Sequence, residues 1–270
     1  MKSLLNQKKY SQDWVKDFYT QAGIWWGDDP QAEGTHAERA AIIERLCGSG
    51  KKHILDLGAG SGRTAAYLAD LGHEVVAIEL NPTDAEYAKQ LLTKERKGAL
   101  EYIQSDFYSI EHYRKFDVIT CWQVFGIGSD ADQRRLLQRI AHEWLAPGGC
   151  VLLDVYHPLG PMRDAGKEWR LDALEGVPGS VAMIERCHFD LVHARWIDEW
   201  QPVEHPEHSL AQSIRCYSPA DLLLMLEGSG LYIQHLEIEG EVLDLQTEEI
   251  ITGRDYFKND YSYLVKLVSI

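Results

Sequence analysis

Short apolar runs alternate with stretches of helical period along the chain from His53 to Val155. Ile54, Leu55 and Leu57 form one run, Val75 to Ile78 a second, Val118 to Cys121 another and Val151 to Val155 the last. Runs of this length suit strands buried on both faces of a parallel sheet. Leu100 to Gln104 alternates instead and reads as the third strand in order. Between the strands, Ala65, Ala66, Leu68, Ala69 and Leu71 recur at helical spacing and Gly72 stops them. Pro82 to Arg96 repeats the period with Asn81 as cap and Pro82 at the first position, and Asp130 to Leu145 does so through Leu136, Leu137, Ile140, Ala141 and Trp144. Strand and helix in alternation predict an α/β protein with a doubly wound, mostly parallel sheet.

The flanking regions read differently. Tyr10, Trp14, Phe18 and Tyr19 place an aromatic stripe on one helix face, Gly23-Ile24-Trp25-Trp26-Gly27 breaks that pattern, and a second helix is expected over Thr35 to Cys47. Residues 183–189, 194–200 and 209–216 look like short antiparallel strands separated by Pro- and Gly-bearing turns. Ser218-Pro219-Ala220-Asp221 opens a further helix, and strands over 232–238 and 261–268 complete a sheet of seven. The expected organisation is a helical lid over 1–50, a core over 51–155 and 218–270, and an inserted cap over 156–217.

The chemistry is concentrated where the first strand ends. Gly58, Gly60 and Gly62 follow it at alternate positions, where a missing Cβ permits positive φ and lets a ligand lie against the backbone. Glu79 ends the second strand, where an acid can accept from two ribose hydroxyls. A dinucleotide fingerprint needs a glycine at position 63, and Arg63 stands there. The pattern D-x-G-x-G-x-G from Asp56, with Glu79 as ribose acid, resembles motif I of the class I S-adenosylmethionine-dependent methyltransferases. The stretches FDVITCWQVF and LLQRIAHEWLAPGGCVLLDV, and RCYSPADLLLMLEGSGL further on, resemble the later part of that family.

The resemblance implies a Rossmann-like methyltransferase fold and S-adenosyl-L-methionine as cofactor, held by Asp56, Gly58, Ala59, Gly60, Gly62, Glu79 and Leu80. It also assigns the adenine amino group to Asp106 and the ring to Phe107; the alternative for Asp106 is a turn or cap residue. Trp122, Gln123 and Phe125 leave the carboxyl end of the fourth strand, the side on which open α/β sheets bind ligands. The N-terminal aromatics Tyr10, Tyr19, Trp25 and Trp26 fit either core packing or a lid over the substrate. His157, just past the fifth strand, fits either a general base or a strand-end histidine held by Pro158.

Charge narrows the substrate. With 27 Lys plus Arg against 42 Asp plus Glu, the net charge is −15, and the basic residues lack the footprint that phosphate neutralisation needs. A small molecule is therefore expected rather than nucleic acid, methylated at oxygen, nitrogen or carbon. A protein or RNA target and a non-catalytic nucleotide-fold protein are the alternatives. No apolar segment approaches the roughly 20 residues that span a bilayer, and the start lacks a signal peptide's apolar core, so a cytoplasmic enzyme free of the membrane is expected. The five cysteines, scattered and without C-x-x-C, suggest neither a disulfide framework nor a metal site.

Overall fold

The computed structural model describes residues 12–26, 33–111, 114–247, 249–252, 256–258 and 260–269. Its centre is a sheet in which β1 (His53–Leu57) lies between β2 (Glu74–Glu79) and β4 (Phe116–Phe125). β3 (Ala99–Gln104) continues beyond β2 and β5 (Leu145–Tyr156) beyond β4, all parallel. β12 (Ser262–Ser269) then joins β5 antiparallel, followed by β10 (Leu231–Ile238) and β11 (Glu241–Val242). The sheet has eight strands where seven are expected. The addition is the two-residue β11, folded back by Glu239 and Gly240, both at positive φ, the backbone that a tight hairpin turn requires.

Side chains alternate between the two faces of the sheet. Leu55, Leu57, Val76, Ile78, Ile119 and Leu153 enter one core with α5 (Asp130–Arg139) and α7 (Pro219–Leu226). Ile54, Val75, Ala77, Val118 and Leu152 enter the other with α2 (Glu33–Cys47) and α3 (Arg63–Asp70). Burial on both sides explains why the central strands read as unbroken apolar runs. α4 (Pro82–Leu92) is shorter than its periodicity suggests, because its last turn closes early with Thr93 Oγ1 donating to the Gln90 carbonyl. The helix after β4 ends in a π turn over Ile140–Trp144.

Cys47, at the end of α2, and Cys150, in β5, form a disulfide across 103 residues. This corrects the expectation from spacing: distance along the chain says nothing of which helix end the fold lays over which strand.

At the amino end, α1 (Asp13–Trp26) runs through Gly23 rather than stopping there. Trp14, Phe18, Ala22 and Trp25 continue one buried face, and that burial outweighs a glycine cost of about 1 kcal/mol. The face packs on a second sheet, in one cluster with Met183 and Trp200. This sheet contains β6 (Glu168–Leu171), β7 (Met183–Asp190), β8 (Arg195–Pro202) and β9 (Leu210–Arg215), all antiparallel in that order. Its first strand is absent from the sequence reading, as is the short α6 (Leu159–Asp164) that precedes it.

Candidate active site

The turn after β1 is fixed by backbone contacts. Gly58 and Gly60 have φ of 69° and 53°, and the Gly58 and Ala59 amides both donate to the Ile78 carbonyl, at 2.9 and 3.1 Å. A Cβ on Gly58 would stand 2.7 Å from Val124 Cγ1, whereas one on Gly60 would meet open space, so only the conformation demands glycine there. Glu79 ties the turn to β2: it accepts from the Gly60 amide at 2.9 Å through one oxygen and from the Asn81 amide at 2.8 Å through the other. Tyr102 donates to the Gly60 carbonyl at 2.7 Å.

Above this turn lies a cavity of about 490 Å³ at the carboxyl ends of the parallel strands. It brings together Gly58, Ala59, Gly60, Glu79 and Leu80 with Asp106, Phe107, Trp122 and Gln123. Asp106 also acts as a turn residue, accepting from the Tyr108 amide at 2.8 Å. Gln123 sits at φ 60°, where β4 loses register with β5, and this kink turns the Trp122–Val124 segment towards the cavity. Among the described residues of the expected N-terminal set, Tyr19 lines the space and Trp25 does not.

Other expected residues lie elsewhere. Asp56 is buried below the turn, where Thr120 donates to it at 2.7 Å across the β1–β4 pair; burial pushes its carboxyl up to about 6 against that hydrogen bond and Arg39. Gly62, at φ 78°, caps α3, and a Cβ there would press on the Tyr102 ring. Phe125 is fully buried against Tyr217, and Trp25 belongs to the α1 cluster. Tyr10 and the Trp26 side chain lie outside the described residues. His157 does not line the cavity: it is buried, stacked 4.1 Å from Phe257, and its Nδ1 accepts from the Leu159 amide. Burial holds it down at about 4, slightly opposed by Asp221, so the imidazole is neutral at working pH.

The cavity also contains groups that motif reading passes over. His36 and Arg39, one turn apart on α2, both reach Thr64 Oγ1, at 2.8 and 3.2 Å, and Arg39 lies over the Trp122 ring at 5.3 Å. Arg39 makes this wall cationic, with the His36 imidazole beside it. Across the cavity stand Glu79, Asp84 and Asp106, with Asp84 raised to about 6 by burial and then by Glu79. Tyr108 contributes its ring, its hydroxyl being bound between the Ile127 carbonyl and Gln133. The Trp122 indole N–H is buried and has no partner among the described residues. A donor left unsatisfied in a cavity with one cationic and one anionic wall fits a ligand carrying both an acceptor group and a ribose.

The fold is that of a doubly wound α/β protein, and the cavity lies where such sheets hold their ligands. Residues 54–149 match the methyltransferase domain family. The ubiquinone biosynthesis O-methyltransferase of Schizosaccharomyces pombe is 34% identical over 41% of this chain and 43% of its own length. The enzyme of that name from Rickettsia typhi is 22% identical over 99% of this chain and 96% of its own. Among solved structures, the CcbJ methyltransferase of Streptomyces caelestis superposes with a TM-score of 0.69 at 16% identity, covering 97% of this chain and 99% of that one. Residues 54–149 thus match a methyltransferase domain, and the chain as a whole shares the fold of solved S-adenosylmethionine-dependent methyltransferases.

Proposed function

We propose that the protein transfers the methyl group of S-adenosylmethionine to oxygen or nitrogen of a small molecule. The observation that supports this most is the convergence in one cavity of a glycine turn, an acid ending β2 and an acid–aromatic pair after β3. In this reading Glu79 accepts from the ribose hydroxyls through lone pairs that the Gly60 and Asn81 amides leave free. Asp106 and Phe107 hold the adenine. Arg39 and His36 face the methionyl carboxylate, and the Trp122 N–H meets an acceptor there. Asp56 and Gly62 act one layer back, by fixing the turn.

Bound S-adenosylmethionine supplies a methyl group on a sulfonium whose thioether leaves uncharged. What the chain supplies is orientation and a site shielded from water, the main contribution expected for an in-line displacement. Residues 1–50 act as a lid through α1, residues 51–155 and 218–270 as the cofactor-binding core, and residues 156–217 as a cap that sets substrate choice. The relatives named for ubiquinone biosynthesis support a small acceptor, and the net charge of −15 speaks against nucleic acid. No described helix is long and apolar enough to cross a membrane. We place the enzyme in the cytoplasm, where the Cys47–Cys150 link is the feature most sensitive to redox poise.

A panel of phenols, amines, carboxylates and indoles tests the reading. Cofactor-dependent gain of one methyl group by at least one small acceptor is expected; methylation of protein or RNA alone would overturn it.

A further inference from the structure

One chain of hydrogen bonds crosses from α1 to the second sheet at the cavity wall. The Tyr19 hydroxyl donates to Gln212 Oε1 at 3.1 Å, and Gln212 Nε2 donates to Asp198 Oδ2 at 2.9 Å. The Trp200 indole N–H donates to the same Asp198 oxygen at 2.6 Å. Gln212 and Asp198 are both buried, and Tyr19, Tyr156 and Gln212 line the cavity. The carboxyl of Glu185 stands beside Asp198, and burial, the charge of Asp198 and a hydrogen bond between the two push it up to about 7.

The direction of this chain follows from donor and acceptor counts. Two donors converge on Asp198 Oδ2, so that oxygen accepts, and the amide nitrogen of Gln212 must face it. The amide oxygen of Gln212 then faces Tyr19 and accepts a hydrogen bond from its one O–H. Both lone pairs of the Tyr19 oxygen remain free to accept, on a residue that lines the cavity beside Gln212. Burial, then Glu79 and Asp198, raise the hydroxyl far above its ordinary range, so it stays protonated and cannot act as the base.

We propose that Tyr19, oriented by Gln212 and Asp198, accepts a hydrogen bond from the methyl-accepting atom itself. The site then selects a nucleophile that still carries hydrogen, a primary or secondary amine or a hydroxyl, over tertiary amines, ethers and carboxylates. This rests on the methyl-transfer reading above. During transfer the carbon–sulfur bond breaks with its electron pair on sulfur, and the new carbon–nitrogen or carbon–oxygen bond uses the lone pair of the acceptor. The proton of the acceptor is released to bulk solvent with the methylated product, and Tyr19 keeps its own. Gln212 and Asp198 are positioning residues, because they act through Tyr19.

The test uses calorimetry on the full chain saturated with S-adenosylhomocysteine. The probes are two pairs, each uncharged at neutral pH: aniline with N,N-dimethylaniline, and catechol with 1,2-dimethoxybenzene. The wild type is expected to bind the hydrogen-bearing member of each pair about 3- to 10-fold more tightly, the value of one neutral hydrogen bond, and Tyr19→Phe to bring that ratio to about one while its S-adenosylhomocysteine affinity stays within about twofold. Asp198→Asn, which lets the Gln212 amide turn either way, is expected to give an intermediate ratio. That effect on selectivity, with cofactor affinity kept, is one a purely structural role would not produce. A ratio unchanged in Tyr19→Phe, equal binding within each pair, or no binding by any probe overturns the inference. If S-adenosylhomocysteine itself fails to bind the wild type, the methyl-transfer reading falls first and this inference with it.

Discussion

On the floor of the cavity, polar contacts end on backbone and link adjacent strands: the Gly60 amide on Glu79, the Asn81 amide on Glu79, and the Gly58 and Ala59 amides on the Ile78 carbonyl. Across the roof they run between side chains, as from Tyr19 to Gln212, 193 positions apart, and on to Asp198. The floor therefore inherits its shape from the parallel sheet and has little side-chain freedom to lose. The roof depends on α1 and the antiparallel sheet meeting in one register. Under the proposed function the difference becomes a division of labour: the cofactor is assigned to the part set by the fold, and substrate choice to the part set by individual side chains.

The largest expected effect breaks the floor. Glu79→Ala removes both the proposed ribose acceptor and the anchor of the turn, and calorimetry is expected to show S-adenosylhomocysteine binding weakened by about 1.5–3 kcal/mol, the range for hydrogen bonds to a charged group. A change below that range would place the ribose elsewhere.

Next comes a residue belonging to neither half. The imidazole of His157 is held neutral, with its pKa lowered from 6.5 to about 4. The unfolded chain thus takes the proton first. Stability is expected to be full above about pH 6.5 and to fall as pH drops towards about 4, by on the order of 1–3 kcal/mol. Chemical denaturation across that window, compared with His157→Phe, checks the slope; the same slope in the variant would assign it to other groups.

Smaller again is Gly58→Ala. At φ 69°, with Val124 against the new methyl, it is expected to destabilise the fold by about 1–2 kcal/mol, read as a shift in denaturation midpoint. The smallest effect is on catalysis by His157→Ala, whose turnover is expected to match the wild type at a temperature where both are folded. A large loss with cofactor affinity intact would return His157 to the role of base.

The same contrast explains what the sequence discloses. Gly58, Gly60, Glu79 and Asp106 each mark the end of a strand, and their order is local, so the floor is legible from spacing. The roof is legible only in part. Gln212 and Asp198 occupy inward positions of β9 and β8, flanked two residues away by Ile214, Trp196 and Trp200. A polar residue where alternation calls for an apolar one is a signal, but its partner on α1 is settled only by tertiary packing. His36 and Arg39 leave a similar trace, three residues apart on the α2 face that buries Ala40 and Ile43. His157 misleads because a strand-end position looks catalytic until Phe257, 100 residues on, is seen stacked over it. The meeting of Cys47 and Cys150 leaves no sequence trace, since it depends on where α2 crosses the sheet.

The central claim is that the floor holds S-adenosylmethionine through the glycine turn and Glu79. Calorimetric titration of the wild-type chain with S-adenosylhomocysteine, and separately with NAD, tests it most directly. The account predicts saturable one-site binding of S-adenosylhomocysteine and none of NAD. Binding of NAD in its place, or of neither, would contradict it.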